Sequence, residues 1–201
     1  MAANAYLSGE ERAILESVRI GVAGAGGLGS NCAAHLVRAG IRRLVIADFD
    51  TVVESNLNRQ FFFRDQVGRK KIDALRENLL RIDPGLELEM HDMKLDSGNV
   101  SALFADCDIV AEAFDAAASK SMLLNTLLPS GKTVVAVSGI AGWGDSNAII
   151  VKRIGTNLVM IGDFHTGVNP AVGIYPASPR VGIAAAMQAN SILALLLKKE
   201  L

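Results

Sequence analysis

The sequence predicts an α/β fold, a doubly wound and mostly parallel sheet with helices on both faces. Three observations lead to this prediction. Apolar runs of strand length alternate with longer segments of helical periodicity along most of the chain. The first run leads directly into a glycine-rich turn and a helix, which is typical of nucleotide-binding α/β units. Two late apolar runs surround a Gly-Thr-Asn turn and predict an antiparallel hairpin at one edge of the sheet.

The individual elements follow from apolar periodicity and from stop signals. Gly40 and the pair Pro129 and Gly131 are typical helix ends, and Lys132 after them is expected to be solvated. The predicted strands are "RIGVAGA", "RRLVIADFD", "LELEM", "CDIVAEAF" and "TVVAVSG", and the hairpin is "NAIIVKRIGTNLVMIG". The predicted helices cover residues 8–17, 28–39, 67–82 and 116–128 and the segment "VGIAAAMQANSILALLLKK". No linker interrupts this pattern, so residues 1–201 are predicted to form one domain.

Composition argues against several classes of function. Half of the 201 residues are hydrophobic, the net charge is −1, and no basic face is evident, so nucleic acid is not an expected partner. Cys32 and Cys107 lie in no C-x-x-C, which predicts neither a zinc site nor a disulfide framework. The charged N-terminus and the polar residues within the last apolar segment predict a cytoplasmic protein without membrane contact. That last segment is expected to be a buried helix or part of a subunit interface.

A glycine-rich loop and an acidic residue predict nucleotide binding. The string "GAGGLG" follows a strand and opens a helix, where glycines permit a tight turn, close approach of a phosphate and close helix packing. The helix N-terminus offers free N–H groups to an anion. Asp48 ends the second strand, where a carboxylate accepts hydrogen bonds from ribose hydroxyls. The residues concerned are Gly24, Gly26, Gly27, Gly29 and Asp48. They suit NAD, FAD or ATP equally well.

A polar loop and a second acid favour ATP among these nucleotides. The string "ESNLNRQ" supplies Asn56 and Arg59, and "GRKK" places Lys71 in the first turn of the next predicted helix; its neighbour Lys70 is expected to be solvated. Arg is a rigid, permanently charged match for phosphate oxygens. Asp115 ends the fourth strand, and an acid beside a polyphosphate calls for a divalent cation between them, as Mg²⁺ provides. Hydride transfer needs neither the cations nor this acid.

In this order and spacing, "GAGGLGS", "DFDTVVESNLNRQ", "VGRKK" and "FDAAASK" resemble the ThiF/MoeB/HesA family, a bacterial group similar to ubiquitin-activating enzymes. The resemblance runs from about residue 8 to the end and includes "SPRVGIAAAMQAN". It implies a Rossmann-like fold and adenylation, in which the C-terminal Gly-Gly carboxylate of a ubiquitin-like sulfur carrier attacks the α-phosphate of Mg·ATP and releases pyrophosphate. The string "SNLNRQFFFRDQVG" is most similar to the compact ThiF-type proteins of thiamine sulfur transfer.

By position, the resemblance assigns ribose binding to Asp48 and Mg²⁺ binding to Asp115. It assigns phosphate contacts to Asn56, Arg59 and Lys71, the last two nearest the charge that develops. The implied catalytic set is therefore Arg59, Lys71 and Asp115. It also implies a homodimer, which we expect to be held partly by the last helix.

The chain departs from the family pattern in three places. It lacks the paired C-x-x-C zinc ligands, so no zinc is expected, and it lacks a cysteine in the crossover loop, so we expect the chain to stop at adenylation. The arginine-containing motif near the family's N-terminus is not recognisable, and Arg12 is a weak substitute. The glycine-rich string "SGIAGWGDSN" is a candidate channel for the Gly-Gly tail, with Trp143 either at its wall or simply packed.

Other functions stay open at this level. Within the family, the alternatives are a carrier of the molybdopterin or cysteine pathway and the reaction of a tRNA-modification dehydratase. Outside the family's activity, the fold suits an NAD-binding oxidoreductase or a scaffold that binds a carrier without activating it. Arg59 and Asp115 favour adenylation over both of these.

Overall fold

A computed structural model describes residues 6–201 and contains one seven-stranded sheet. Its strands are β1 (Arg19–Ala23), β2 (Arg43–Asp48), β3 (Glu87–Asp92), β4 (Ile109–Glu112), β5 (Thr133–Val137), β6 (Ile150–Ile154) and β7 (Leu158–Gly162). They lie in the order β3-β2-β1-β4-β5-β7-β6, and β6–β7 is the antiparallel pair. The predicted mostly parallel sheet with an edge hairpin is confirmed. The chain reverses its direction of winding between β1 and β4, which is where ligands bind in such folds.

Helices cover both faces, so the doubly wound, Rossmann-like arrangement is confirmed. They are α1 (Gly9–Ser17), α2 (Gly27–Ala39), α3 (Lys71–Ile82), α4 (Val100–Leu103), α5 (Ala117–Leu127) and α6 (Ser178–Leu196). One core forms between the sheet and α2, α3 and α6, and a second core forms between the opposite face and α4 and α5. Consecutive residues of β1 point to opposite faces of the sheet, since Val22 packs in the first core and Ala23 in the second.

The last helix, which was expected to be either a buried helix or part of a subunit interface, is buried within the fold. α6 packs along α2, and Ala184, Ala185 and Ile192 have no exposed surface. The small side chains of Ala184 and Ala185 let the two helices approach closely. No helix within residues 6–201 has the length and apolar character needed to cross a bilayer.

Cap geometry confirms three of the predicted helix ends. Ser8 Oγ accepts from Glu11 N at 3.1 Å while Glu11 Oε2 accepts from Ser8 N at 2.9 Å, which forms a capping box at α1. Gly40 and Gly131 end their helical segments with φ of 109° and 82°, a left-handed conformation that favours glycine.

Two element predictions were wrong. The helix predicted from Val67 begins at Lys71, because the preceding chain returns to β2's exit and exchanges hydrogen bonds with Val52. α4 was not predicted, because four residues are too short to show a helical period.

The expectation that Lys132 is solvated was also wrong, since its ammonium group donates to the carbonyl oxygens of Ala105 and Cys107.

A buried ion pair fixes the N-terminus of α6 to the loop that follows β7. Arg180 donates to the carboxylate of Asp163, and both side chains are at least nine-tenths buried. The same guanidinium donates to Gly144 O at 2.9 Å, so it also holds the loop before β6. Asp163 Oδ1 accepts from His165 N at 2.8 Å and from Thr166 N at 2.9 Å.

Removing one partner of this pair is expected to destabilise the fold strongly. Asp163→Asn leaves the Arg180 guanidinium buried without a counter-charge, so we expect the free energy of unfolding in urea to fall by about 3 kcal/mol. The control is Glu54→Gln, which breaks an exposed pair with Arg64 and is expected to change the free energy by less than about 0.5 kcal/mol. Equal effects of the two substitutions would contradict this account.

The Asp163 carboxylate also makes the free energy of unfolding depend on pH. Burial raises the pKa of Asp163, but the N–H groups of Thr166 and His165 and the charge of Arg180 together lower it below its usual 3.8. A lowered pKa means that the folded state binds the proton less tightly than the unfolded state. The stabilisation is therefore complete above about pH 4 and is lost as the pH falls through the folded-state pKa.

Candidate active site

A cavity of about 810 Å³ lies at the carboxyl ends of the parallel strands, beside the reversal between β1 and β4. Every predicted site residue except Gly29 and Asn56 lines it. Those that do are Gly24, Gly26, Gly27, Asp48, Arg59, Lys71 and Asp115. The parallel register brings the loops after β1, β2 and β4 to one edge of the sheet, which explains why residues distant in sequence share one cavity.

The glycine loop between β1 and α2 forms one wall. Gly24 has φ of 105°, a conformation that glycine adopts without strain, and this turns the chain sharply after β1. Gly29 lies behind the loop rather than in the cavity, because a Cβ there would stand only 1.8 Å from Gly24 O. A Cβ at Gly26 would meet nothing within 4 Å, so this backbone at the start of α2 is open to a ligand.

Asp48 ends β2 and joins the glycine loop to the following chain. Its Oδ2 accepts from Ala25 N at 2.7 Å, and its Oδ1 accepts from Asp50 N at 2.8 Å. Each carboxylate oxygen keeps a further lone pair for a hydroxyl of a bound molecule. The side chain is partly buried, so its orientation is set before any ligand arrives.

The loop that carries Arg59 is attached to the first turn of α2. Asn31 Nδ2 donates to Arg59 O at 2.9 Å, and Ser30 Oγ accepts from Phe61 N at 3.0 Å. The Arg59 side chain passes close to Gly27, where a Cβ would stand 3.4 Å from Arg59 Cγ. Nη1 donates to Ser55 O and to the Asn58 side chain, whereas Nε and Nη2 have no partner among residues 6–201. Three N–H donors of this guanidinium are therefore available to an anion.

Asn56 does not lie in the cavity wall. Its side chain is buried, and its Oδ1 accepts from Val53 N at 3.2 Å, which closes the single helical turn of Glu54–Asn56. The expected phosphate contact of Asn56 stays a prediction, and its visible function is to shape the loop before Arg59.

The two neighbouring lysines at the start of α3 have different environments. Lys71 is buried and its Nζ lies 2.7 Å from Asp50 Oδ2, so a cation borders the cavity while held by one carboxylate oxygen. Lys70 was expected to be solvated, and its half-exposed ammonium instead donates to Phe49 O at 3.0 Å and Asp92 Oδ1 at 3.1 Å. These contacts bind the ends of β2 and β3 together.

Asp115 is exposed, and its carboxylate has no hydrogen-bond or ion-pair partner among residues 6–201, in contrast to the cavity carboxylates of Asp48 and Asp50. It lies in the loop between β4 and α5. No group of three or more His, Cys, Asp or Glu side chains in this described range forms a metal site by itself. One free carboxylate with space for phosphate oxygens and water nevertheless fits the donor set that Mg²⁺ prefers.

Sequence reasoning missed an ion pair and a further acid next to this site. Glu112 is fully buried at the end of β4, and its carboxylate contacts the Lys120 ammonium at 2.9 and 3.0 Å. Burial raises the pKa of Glu112, and the charge of Lys120 opposes this effect. An acid inside an otherwise apolar strand was the available signal. Asp50, the partner of Lys71, was likewise not singled out.

The opposite wall of the cavity is rich in glycine and apolar groups. Gly139 has φ of 76°, and a Cβ there would stand 2.3 Å from Asp163 Oδ1, so the chain after β5 packs tightly against the loop after β7. Further wall residues are Ile140, Ala141, Gly167, Val168, Tyr175 and Pro176. Trp143 is neither packed nor in the wall, since three quarters of its surface is exposed.

Neither cysteine is expected to react. Both thiols are buried, and burial raises the pKa of Cys107 to about 11 and also raises the pKa of Cys32. At pH 8 only about one Cys107 thiol in a thousand is then ionised. We expect mass spectrometry to show no alkylation of the folded protein by iodoacetamide within an hour, and two alkylated thiols in urea. Rapid alkylation of the folded chain would reopen a covalent role for a cysteine.

Three curated proteins illustrate what this chain is similar to. The adenylyltransferase and sulfurtransferase UBA4 of Eremothecium gossypii is 31% identical over 93% of this chain and 39% of its own length. The probable adenylyltransferase/sulfurtransferase MoeZ of Mycobacterium tuberculosis is 29% identical over 94% and 46%. The molybdopterin-synthase adenylyltransferase of Escherichia coli is 36% identical over 54% and 44%. The chain thus spans less than half the length of these curated relatives.

The fold is also that of a solved structure. The crystal structure of the E. coli tRNA N6-threonylcarbamoyladenosine dehydratase TcdA in complex with ATP matches with a TM-score of 0.88. The match covers 98% of this chain and 93% of that one at 20% identity, so it concerns the fold alone. The ThiF family profile matches residues 3–201. This chain therefore belongs to the ThiF family.

Proposed function

We propose that the protein is an ATP-dependent adenylyltransferase that activates the C-terminal carboxylate of a ubiquitin-like carrier ending in Gly-Gly. The observation that carries the proposal is that one cavity gathers the glycine loop, the preset acid Asp48, the cations Arg59 and Lys71, and the free carboxylate of Asp115. A dinucleotide-binding oxidoreductase explains only the glycine loop and Asp48. The names of the relatives, which include three adenylyltransferases, support the same conclusion.

The nucleotide is proposed to lie with its ribose at Asp48 and its phosphates toward α2. Asp48 offers free lone pairs, and the start of α2 offers backbone N–H groups and the positive end of the helix dipole. Phe49, Met93 and Leu95 line the cavity beside β2 and β3 and form an apolar surface for the adenine ring. Arg59 approaches from above Gly27, where its three available donors suit phosphate oxygens.

Asp115 is the residue proposed to hold Mg²⁺, because it is the free carboxylate in this cavity and stands after β4 beside the phosphate position. When bound, the cation would neutralise negative charge on the phosphates. The loop between β4 and α5 keeps the Asp115 carboxylate exposed and in position.

The reaction proposed is attack by a carrier carboxylate oxygen on the α-phosphorus of ATP. A new O–P bond forms, the bond from the α-phosphorus to the bridging oxygen breaks, and pyrophosphate leaves with that electron pair. The attacking carboxylate is already ionised, so no general base is needed. Arg59 and Lys71 stabilise the negative charge that develops, and the cavity supplies orientation.

The carrier tail is proposed to enter along the opposite wall. A Cβ at Gly167 would meet nothing within 4 Å, and Ala141 is small, so an extended Gly-Gly segment finds space close to the backbone there. Tyr175, Val168 and Trp143 are exposed next to this wall and offer apolar contacts to the body of the carrier. A homodimer is also proposed, and light scattering at micromolar concentration tests it, since a monomer mass would count against it.

The carrier is proposed to be ThiS-like, a protein of thiamine biosynthesis, on the similarity of "SNLNRQFFFRDQVG" to compact ThiF-type proteins. The experiment is ATP–pyrophosphate exchange with carriers of the thiamine, molybdopterin and cysteine pathways of the same organism. We expect exchange only when a carrier is present, and fastest with the thiamine carrier. Faster exchange with another carrier would reassign the pathway. Absence of exchange with all carriers, together with NAD binding, would refute adenylation.

A further inference from the structure

The ion pair between buried Glu112 and partly buried Lys120 lies next to the loop that carries Asp115. Lys120 Nζ donates to Glu112 Oε1 at 3.0 Å, to Glu112 Oε2 at 2.9 Å and to Val137 O at 2.9 Å. An ammonium group has three N–H donors, so all of them are in use. Lys120 borders the cavity but retains no donor for a phosphate, which distinguishes it from Arg59.

The same contacts fix the chain immediately before Asp115. Glu112 Oε1 accepts from Phe114 N at 2.7 Å, so the carboxylate sets the turn that follows β4. Lys120 lies in the first turns of α5 and reaches the end of β5 at Val137, which joins three elements at one point. From the other face of the sheet, Gln188 of α6 donates to Glu112 O at 2.9 Å and to Val135 O at 2.8 Å.

Asp115 depends on this support because its own side chain has no partner within residues 6–201. Its position is therefore set by its backbone alone, and that backbone is held between the Phe114 contact and α5. A buried ion pair is seldom required for stability, because apolar residues of similar volume often serve as well. Stability alone therefore does not explain why this pair is present in an otherwise apolar strand, whereas a role in positioning the Asp115 loop does.

We propose that Glu112 and Lys120 are positioning residues, which hold the Asp115 loop so that the cavity binds nucleotide more tightly with Mg²⁺ than without it. This rests on the proposed function only in taking Asp115 as the carboxylate that receives the cation. Supporting residues of this kind typically contribute about 10- to 100-fold to metal affinity.

The test measures binding of a non-hydrolysable ATP analogue by calorimetry, once in excess Mg²⁺ and once in EDTA. The ratio of the two affinities is the Mg²⁺-dependent gain. We expect Lys120→Met to lower this gain at least about tenfold while affinity in EDTA changes little. Lys120→Arg is expected to restore most of it. If Lys120→Met does not fold, Glu112→Gln replaces it in the test. This variant keeps an acceptor for Phe114 N and is also expected to lower the Mg²⁺-dependent gain.

Lys132→Met is the matched control. Lys132 is another partly buried lysine that donates to backbone carbonyls, but it joins the opposite ends of the strands, far from the cavity lining. It is expected to lower thermal stability comparably and to leave the gain unchanged. In an Asp115→Ala background, Lys120→Met is expected to have no further effect on the gain, since the two residues act as a unit.

The outcomes separate this proposal from the proposed function. Equal losses of gain in Lys120→Met and Lys132→Met would overturn it, and so would a full gain in a folded Lys120→Met. A wild-type protein without any Mg²⁺-dependent gain would overturn it as well. A wild-type protein that shows the gain but no pyrophosphate exchange would refute adenylation, while the variants still decide the role of the pair.

Discussion

Replacing Arg59 by alanine is expected to lower carrier-dependent ATP–pyrophosphate exchange by about 100- to 1,000-fold, the usual loss for one donor to a developing charge. The guanidinium borders the cavity and keeps three N–H donors free. Its loop is attached to α2 by Asn31 and Ser30 through backbone groups, and the Arg59 side chain adds only exposed contacts within the loop. The folded structure and the midpoint of thermal unfolding are therefore expected to change little.

Two variants make this prediction specific. Arg59→Lys keeps the charge but loses the planar fork, so an intermediate rate is expected. Arg64→Ala removes another arginine of the same loop, which is exposed and paired with Glu54 at 3.0 Å outside the cavity lining. It is expected to leave exchange within about twofold, as surface pairs contribute little. Arg59→Ala with normal exchange would remove this residue from the catalytic set.

Replacing Asp115 by alanine is expected to lower exchange by at least about 100-fold at millimolar Mg²⁺, because phosphate charge is then left without its cation. Since the Asp115 carboxylate is exposed and unpartnered within the described chain, the free energy of unfolding is expected to stay within about 0.5 kcal/mol. The matched control is Asp106→Ala. Asp106 is an exposed acid before β4, outside the cavity lining, and its loss is expected to leave exchange unchanged.

Measuring exchange against Mg²⁺ concentration separates a metal role from a general charge effect. The Asp115→Ala variant should require far more Mg²⁺ for half its maximal rate, whereas the wild type should saturate at low concentration. An unchanged Mg²⁺ dependence would show that Asp115 does not hold the cation, whatever the loss of rate.

Residue patterns predicted much of this architecture because they reflect local physics. Strands buried on both faces, such as β1 and β2, read as continuous apolar runs, and glycines at the helix ends mark left-handed backbone. The glycine loop, Asp48 and Asp115 were found because parallel strands bring their carboxyl ends to one edge. Each of these signals is local, because it consists of a strand and the turn or acid that directly follows it.

What could not be predicted depends on tertiary contacts. α3 begins later than its periodicity indicates because the chain before it pairs with Val52 across the loop. Asn56 has a polar side chain typical of a ligand, yet the fold turns it inward to cap a short turn. The Glu112–Lys120 pair joins a strand to a helix, and no periodicity in the sequence reports such a contact.

The central claim is that the carrier's C-terminal carboxylate becomes joined to AMP. Its most direct test is intact-mass spectrometry of the thiamine carrier after incubation with this protein, ATP, Mg²⁺ and pyrophosphatase. The account predicts that the carrier gains the mass of one adenylyl group, and that a carrier lacking its last glycine gains none. Unchanged carrier mass with all three pathway carriers, from a folded protein that binds ATP, would contradict it.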